Sequence, residues 1–251
     1  MALTDEQKKL IRKTLNDWLN KKIDEYSRET NYMPFFERIV RDKGHIRMYS
    51  FTHSLFTSLG QSIYEQIGAI AASENSEIAK RAWKTSLQVA KKRKEKVGTI
   101  VDELRNGKRE ARKDVEAKEI LDIPNDNLVD VKDGRTVDLY VKRGNNEFLF
   151  EIKTVKPNID IFTKTKNKIL TWIAREDRVL TTAIAFPYNP YHPQPYSRFT
   201  VQGVMEEKEI FVGKDFWDFL GGDGCYEEIL EIFDEVGKEC WEKIKNKILK
   251  S

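Results

Sequence analysis

The stretch from residue 136 to residue 153 constrains the fold of this chain more than any other. Two runs of β-forming residues, 136–142 and 147–153, flank a short segment in which Gly144 and Asn145 favour a tight turn. The pattern predicts an antiparallel hairpin. We expect Lys142 to face Glu147 across the turn, and this one pair fixes the register of all the others.

In this register Asp138 lies opposite Glu151, and the alternation of side chains puts Lys153 on the same face. Directly opposed residues have Cβ atoms roughly 4.5–5.5 Å apart, so two carboxylates there repel each other unless a cation lies between them. Phe150 and Ile152 supply the apolar face behind them. The arrangement suits a hard divalent metal, which prefers oxygen ligands. The alternative is that the charges mark an ordinary solvated face of the strand.

These residues resemble the PD-(D/E)xK nuclease motif, with Val137 in the place of its proline. The resemblance implies an α/β, restriction-endonuclease-like core, in which helices flank a mixed β-sheet. It also implies that Asp138, Glu151 and the carbonyl of Ile152 hold Mg²⁺, for which Mn²⁺ substitutes. Lys153 would orient the attacking water and stabilise negative charge, and the products would carry 5′-phosphates.

A carboxylate on an earlier helix is a further candidate ligand. Nucleases of this superfamily often carry Gly-x-x-x-Glu before the catalytic strands, and Gly60 with Glu65 resembles that motif at a spacing one residue longer. The resemblance implies that Glu65 binds a second ion or its water. The alternative is a surface glutamate on an amphipathic helix.

Two later segments, residues 151–158 and residues 213–230, are similar to TdeIII-type restriction endonucleases, a group linked with cutting GGNCC sites. The similarity spans roughly residues 50–240, and Phe216-Trp217-Asp218-Phe219 is its most specific part, with a role in core packing expected. It implies a type II enzyme that cuts double-stranded DNA at a short symmetric site. The symmetry of such a site predicts a homodimer.

Basic residues are concentrated in one stretch, although the net charge of the chain is only +3. Between Lys80 and Lys113 there are thirteen Lys or Arg and four Asp or Glu. Local positive charge suits a phosphate backbone, and a solvated helical face is the alternative. The predicted DNA-binding residues here are Lys91, Lys92, Arg93 and Lys94.

A proline-rich loop at 186–198 is a candidate for reading bases. Its prolines stiffen the backbone, so side chains can be held out at low entropic cost. Asn189, Gln194 and Arg198 are residue types that contact adenine or guanine edges. The alternative is a structural connection packed on the protein.

We expect a single endonuclease domain over 1–251, with a mainly helical DNA-binding and dimerisation part at 1–120 and the catalytic core at 121–251. Thr4 and Gln7 form a capping box at the first helix. Further strands are predicted at 179–186 and 209–212. Helices are predicted at 5–26, 54–72, 76–105, 111–121, 160–175, 215–220 and 226–250.

Simpler features of the sequence bear on the compartment. No run of 18 apolar residues predicts a membrane span, and the N-terminus lacks a signal peptide's pattern. Cys225 and Cys240 match no metal motif, so a reducing cytoplasm is expected.

Two other interpretations of the function stay open: a Holliday-junction or repair nuclease with the same core, and a catalytically silent DNA-binding protein.

Overall fold

The structure is a computed structural model that describes residues 2–26, 33–153, 158–197 and 203–249. The helices are α1 (Asp5–Glu25), α2 (Phe36–Ile39), α3 (Lys43–Ser58), α4 (Tyr64–Ala72), α5 (Lys91–Arg105), α6 (Lys113–Leu121), α7 (Ile159–Glu176), α8 (Lys214–Gly221) and α9 (Cys225–Ile244). The strands are β1 (Ile78–Lys84), β2 (Gln88–Ala90), β3 (Leu128–Asp130), β4 (Thr136–Arg143), β5 (Asn146–Ile152), β6 (Thr181–Phe186) and β7 (Ile210–Val212). Among these helices, none is long and apolar enough to cross a membrane.

A five-stranded sheet in the order β1-β4-β5-β6-β7 forms the centre of the molecule. Strands β1, β4 and β5 pair antiparallel, whereas β5, β6 and β7 run parallel. Parallel neighbours need a crossover connection, and α7 is the helix between β5 and β6. The sheet is therefore mixed, and helices cover both of its faces, which confirms the predicted α/β class.

Two hydrophobic clusters lie on opposite faces of this sheet. One packs α1, α4, α8 and α9 against Leu139 and Phe150. The other packs α5, α6 and α7 against Tyr140 and Leu149, the neighbours of those residues along the strands. Because successive side chains point to opposite faces, the middle of β4 and β5 is covered on both sides. A charged residue there enters a helix-covered layer and not bulk solvent.

Most helix predictions agree with the structure. Helix α1 begins after Thr4, whose side chain accepts from the Gln7 N–H in the predicted capping box. The helices predicted at 111–121, 160–175 and 215–220 are present within two residues at each end. The helix predicted at 226–250 begins at Cys225, and a π-helical turn, Lys245–Leu249, takes over after Ile244.

Two predicted helices differ from the structure at their N-terminal ends. The helix expected from residue 54 begins at Lys43, where Asp42 accepts from the His45 N–H at 3.1 Å. The helix expected over 76–105 is instead β1 and β2 followed by α5, which begins at Lys91. Residues 78–84 are rich in Ala, Lys and Arg, but pairing with β4 overrides their helical preference.

Candidate active site

The β4–β5 hairpin brings Asp138 beside Glu151, as its register predicts. The predicted pairing of Lys142 with Glu147 is confirmed, and the ladder extends to Leu139 opposite Phe150, one rung before Asp138. At the next rung the Oδ2 atom of Asp138 accepts a hydrogen bond of 2.8 Å from the N–H of Ile152. The backbone of β5 therefore orients the Asp138 carboxylate at the end of the hairpin.

The alternation of side chains is interrupted at Asp138. Val137 packs in the α7 layer, whereas Leu139, two residues further on, packs in the α4 layer. On β1, Ala82 stands between the partners of these two residues, and its φ of 49° is unusual for a residue other than glycine. Asp138 therefore lies where the two helix layers meet, within reach of charges from both.

Glu151 is only 4% exposed and contacts two ammonium groups. Its Oε1 atom lies 2.5 Å from the Nζ atom of Lys153, the lysine of the predicted motif. Its Oε2 atom contacts the Nζ atom of Lys168 on α7. A buried carboxylate needs such partners because desolvation otherwise penalises its charge. Lys168 was not predicted; its sequence signal is a lysine at helical spacing from Thr165 and Trp172, which are both buried.

Glu65 reaches the same site from the α4 layer. Its side chain is 12% exposed, and its Oε2 atom lies 3.7 Å from the Nε atom of Arg81 on β1. Burial, followed by the charge of Asp138, raises the pKa of Glu65 to about 7. The charge of Glu151 acts in the same direction, so the helix carboxylate and the two hairpin carboxylates form one electrostatic unit.

A π-helical turn accounts for the long spacing between Gly60 and Glu65. The turn Leu59–Ile63 joins α3 to α4, and the N–H of Tyr64 bonds to the carbonyl of Leu59, five residues earlier. Such a turn accommodates one residue more than an α-helical turn. Across this turn, residues five apart in sequence, such as Gly60 and Glu65, therefore take the relative places that residues four apart take in a regular α-helix.

The pKa of Asp138 is perturbed by its surroundings. Burial, followed by the charge of Glu151, raises the pKa of Asp138 to about 6, while Lys168 and Lys153 lower it. The pKa of Asp138 thus stays raised in the presence of the two lysines. Clefts in which buried carboxylates perturb each other in this way are typical of functional sites.

The donor set fits a hard divalent ion. Within the described residues, no group of three or more His, Cys, Asp or Glu side chains is close enough together to hold a metal ion. Mg²⁺, however, is commonly held by one or two carboxylates, with water and substrate phosphates as its other ligands. Asp138 and Glu151, with the carbonyl of Ile152, which follows Glu151 in the chain, supply oxygen donors of that kind.

The structure divides the residues that were predicted to bind the DNA backbone. Three of them are exposed at the start of α5: Lys91, Lys92 and Lys94. Arg93 is 3% exposed, and its guanidinium donates to the carbonyls of Ile123 and Leu121 at 2.7 and 3.3 Å and pairs with Asp177. The assignment of Arg93 to DNA binding is therefore corrected: its guanidinium satisfies carbonyls at the end of α6.

Part of the predicted basic helix is instead a basic sheet edge. The strand β1 lies at the edge of the sheet and exposes Lys80, Arg81 and Lys84. Charged residues on an edge strand discourage unwanted strand pairing. Arg81 also lies beside Glu65, so this positive edge adjoins the carboxylate cluster.

The proline-rich loop after β6 is held by its own polar groups. The amide of Asn189 donates to the carbonyl of Gln194 at 2.7 Å, and its Oδ1 atom accepts from the N–H of Tyr191 at 2.9 Å. Asn189 thus shapes the loop, which agrees with the alternative of a structural connection. The Gln194 side chain is exposed, and Arg198 lies outside the described residues.

Comparison with known proteins points to the same class as the site. The family model described as type II restriction endonuclease HinfI matches residues 3–237. The type II restriction enzyme MjaII of Methanocaldococcus jannaschii is 28% identical over 204 residues, which is 74% of this chain and 54% of that enzyme. The type II restriction enzymes HgiCII and HgiEI of Herpetosiphon aurantiacus are 26% and 24% identical, each over 89% of this chain and 84% of the relative.

A five-stranded mixed sheet flanked by helices is consistent with a restriction-endonuclease-like fold. The match over residues 3–237 makes the class specific. The chain belongs to the HinfI family of type II restriction endonucleases, which is a family of site-specific deoxyribonucleases. It spans about half the length of MjaII and most of the length of HgiCII.

Proposed function

We propose that this protein is a Mg²⁺-dependent type II restriction endonuclease that hydrolyses double-stranded DNA at a short symmetric site and leaves 5′-phosphates. The observation that carries the proposal is the meeting of Asp138, Glu151 and Lys153 at one end of the β4–β5 hairpin. Membership of the HinfI family supports it. Mn²⁺ is expected to replace Mg²⁺ because the proposed ligands are all oxygen atoms.

Each residue has a role in this mechanism. Asp138, Glu151 and the carbonyl of Ile152 hold the ion, which supplies Lewis acidity and a bound water of lowered pKa. The Lys153 ammonium, held at Glu151, orients the attacking water and stabilises the negative charge that develops on the phosphate. Glu65 serves a second ion or its water, because it shares the electrostatic environment of Asp138.

The central experiment compares binding with cutting. Asp138→Ala and Lys153→Ala proteins are expected to bind duplex DNA and to leave it intact in Mg²⁺. Lys142→Ala, on the same hairpin but paired with Glu77 at its other end, is the matched control and should cut normally. Full cutting by the Asp138 or Lys153 variant would contradict the proposed roles.

The recognition sequence that we propose is GGNCC. It rests on the resemblance of the Phe216-Trp217-Asp218-Phe219 segment to TdeIII-type enzymes. Phe216 and Trp217 are buried in α8, and the Trp217 indole donates to the carbonyl of Pro187 at 2.8 Å, so this segment packs the core. Digestion of a long sequenced duplex, with the cut ends mapped, tests the sequence directly. Cutting confined to branched DNA would favour a junction or repair nuclease instead.

We propose that DNA contacts come from two places. Lys91, Lys92 and Lys94 are exposed and suit phosphate contacts, and Gln194 and Arg198 remain candidates for base edges. Lys92→Ala should weaken binding to all sequences alike and reduce the salt dependence of log K by about one. Gln194→Ala should change sequence preference instead. Unchanged salt dependence in the lysine variants would remove α5 from the interface.

We further propose that the enzyme acts as a homodimer through exposed apolar side chains, namely Phe35 and Ile39 at the two ends of α2 and Tyr49 and Phe56 on α3. These side chains are 84%, 80%, 52% and 53% exposed. Together they expose roughly 500 Å² of mostly apolar area, against about 800 Å² per partner in a standard interface. A second copy is the occupant that a two-fold symmetric DNA site requires.

Sedimentation of the full chain tests this assembly. A Phe35→Ser, Ile39→Ser double variant should be monomeric at concentrations where the wild-type protein is dimeric. Leu230→Ser, which changes a half-exposed leucine on α9, is the matched control. A monomeric wild-type protein, with and without DNA, would refute the homodimer. We expect the enzyme to act in the cytoplasm, where its two buried cysteines stay reduced.

A further inference from the structure

Lys168 is a second lysine in the site and lies outside the hairpin motif. Its Nζ atom contacts Oε2 of Glu151, whereas Lys153 contacts Oε1 of the same carboxylate. The side chain of Lys168 is 22% exposed and passes over the ring of Trp172, with Nζ 5.4 Å from the ring centroid. The ammonium is therefore directed into the site by packing and is still open to solvent on one side.

The helix that carries Lys168 is fixed by buried polar contacts. Lys166, two residues earlier, is fully buried and lies 2.6 Å from Glu116 and 2.7 Å from Glu209. Arg175, about two turns after Lys168, donates to backbone carbonyls before β2 and between β3 and β4. Because both ends of this segment are clamped, Lys168 has a defined starting position, as a residue of a functional site requires.

The two lysines place a positive charge at each oxygen of Glu151. A divalent ion bound by Glu151 therefore meets two ammonium groups at the same carboxylate, and repulsion favours the departure of one of them. Lys153 directly follows β5 and is tied to β6, since its own N–H donates to the carbonyl of Ala185 at 2.8 Å. Lys168 reaches Glu151 from a different element through a long flexible side chain, so it is the partner that can leave without moving the sheet.

We propose that Lys168 is the resident counter-cation of Glu151, that a divalent ion displaces it, and that the released ammonium then binds the phosphate being cut. This inference rests on the proposed function and deepens it. The Lys168 ammonium thus neutralises the buried carboxylate before the ion binds and a phosphate of the DNA afterwards. Its positive charge stays in the site throughout. Lys168 competes with the ion for Glu151 and assists it on the substrate.

Lys168→Met separates these two effects. Without DNA, the variant should bind Mn²⁺ roughly tenfold or more tightly than wild type, because the competing charge is gone. At saturating Mg²⁺ with DNA, single-turnover cleavage should be slower by roughly tenfold or more, because one phosphate contact is lost. Lys164→Met, an exposed lysine one turn earlier on α7, should change neither quantity. Titration calorimetry with Mn²⁺ and cleavage under single-turnover conditions give the two readouts.

The outcomes distinguish this inference from the proposed function. Mn²⁺ affinity that is unchanged or weaker in folded Lys168→Met, with a wild type that binds Mn²⁺ and cuts DNA, overturns the role of Lys168 alone. Tighter Mn²⁺ binding with unchanged cleavage overturns the transfer to phosphate. A wild type that neither binds Mn²⁺ nor cuts DNA overturns the proposed function itself. Melting curves of each variant establish that it is folded.

Discussion

Asp138→Asn should stabilise the metal-free protein at neutral pH and abolish cleavage. Burial, followed by the charge of Glu151, raises the pKa of Asp138 from 3.8 to about 6. Ionising Asp138 therefore costs the folded state about 3 kcal/mol more than the unfolded state. Asparagine keeps an oxygen that accepts the Ile152 N–H and carries no charge. We therefore expect a gain of about 1–3 kcal/mol.

The sign of the pH dependence follows from linkage. The folded pKa lies above the unfolded one, so between about pH 4 and 6 the folded state binds more protons, and wild-type stability falls as pH rises. At pH 4 the native Asp138 is largely protonated, and the substitution gains little. At pH 7.5 the full penalty is present, and its removal gives the full gain.

Thermal unfolding in a chelator at pH 4 and pH 7.5 measures this difference. At roughly 2–4 °C per kcal/mol for a chain of this size, the midpoint should rise by about 2–12 °C at pH 7.5 and hardly at pH 4. Asp130→Asn, at an exposed position on β3, should have no effect at either pH. A gain that is absent at pH 7.5, or equal at the two pH values, would refute the electrostatic account of the site.

Three further substitutions test other parts of the structure by urea unfolding. Ala82→Gly should raise the free energy of unfolding by about 0.5 kcal/mol, because its φ of 49° suits glycine. Ala79→Gly on the same strand should lower it. A lower free energy of unfolding in both variants would contradict the left-handed conformation of Ala82. Arg93→Met should cost about 2–4 kcal/mol and leave the DNA affinity of the folded protein unchanged, which a mobility-shift titration measures. Lys166→Met should cost about 3–5 kcal/mol, because it leaves Glu116 and Glu209 buried without the ammonium group that contacts both; an unchanged midpoint would contradict the buried pairs.

The hairpin could be predicted from sequence because everything that defines it is local. The turn at Gly144 fixes the register, and a fixed register determines which residues face each other along both strands. The position of Asp138 beside Glu151 follows from these two facts alone. Alternation along β5 also predicts that Phe150 and Ile152 are buried, as they are.

The partners of the hairpin could not be predicted, because they come from elements whose packing is not local. Lys168 follows Glu151 by 17 residues, and only the packing of α7 against the sheet brings the two side chains together. Arg81 was expected on a helix, whereas its strand is defined by hydrogen bonds to β4, which sequence propensity does not contain. Ala82 gives no sequence signal at all, since alanine rarely adopts a left-handed conformation.

Arg93 shows the limit of reasoning from charge. Four consecutive basic residues suggested one DNA-binding surface, but a helix turns by about 100° per residue, so four consecutive residues cannot all share one face. Arg93 is on the buried side of α5 with Val97 and Ile100, and its neighbours in the run are exposed. The helical period of the apolar residues in α5 was enough to separate Arg93 from the three lysines.

In the proposed function, the charge balance of the site would couple ion binding to DNA binding. Three carboxylates, Glu65, Asp138 and Glu151, are matched by three cationic groups, Lys153, Lys168 and Arg81, so the site is neutral when all six are charged. A bound divalent ion would leave a local excess of two positive charges in a poorly solvated place. A phosphodiester, which carries one negative charge, would relieve half of that excess, and by reciprocity DNA would then strengthen ion binding by the same factor as the ion strengthens DNA binding.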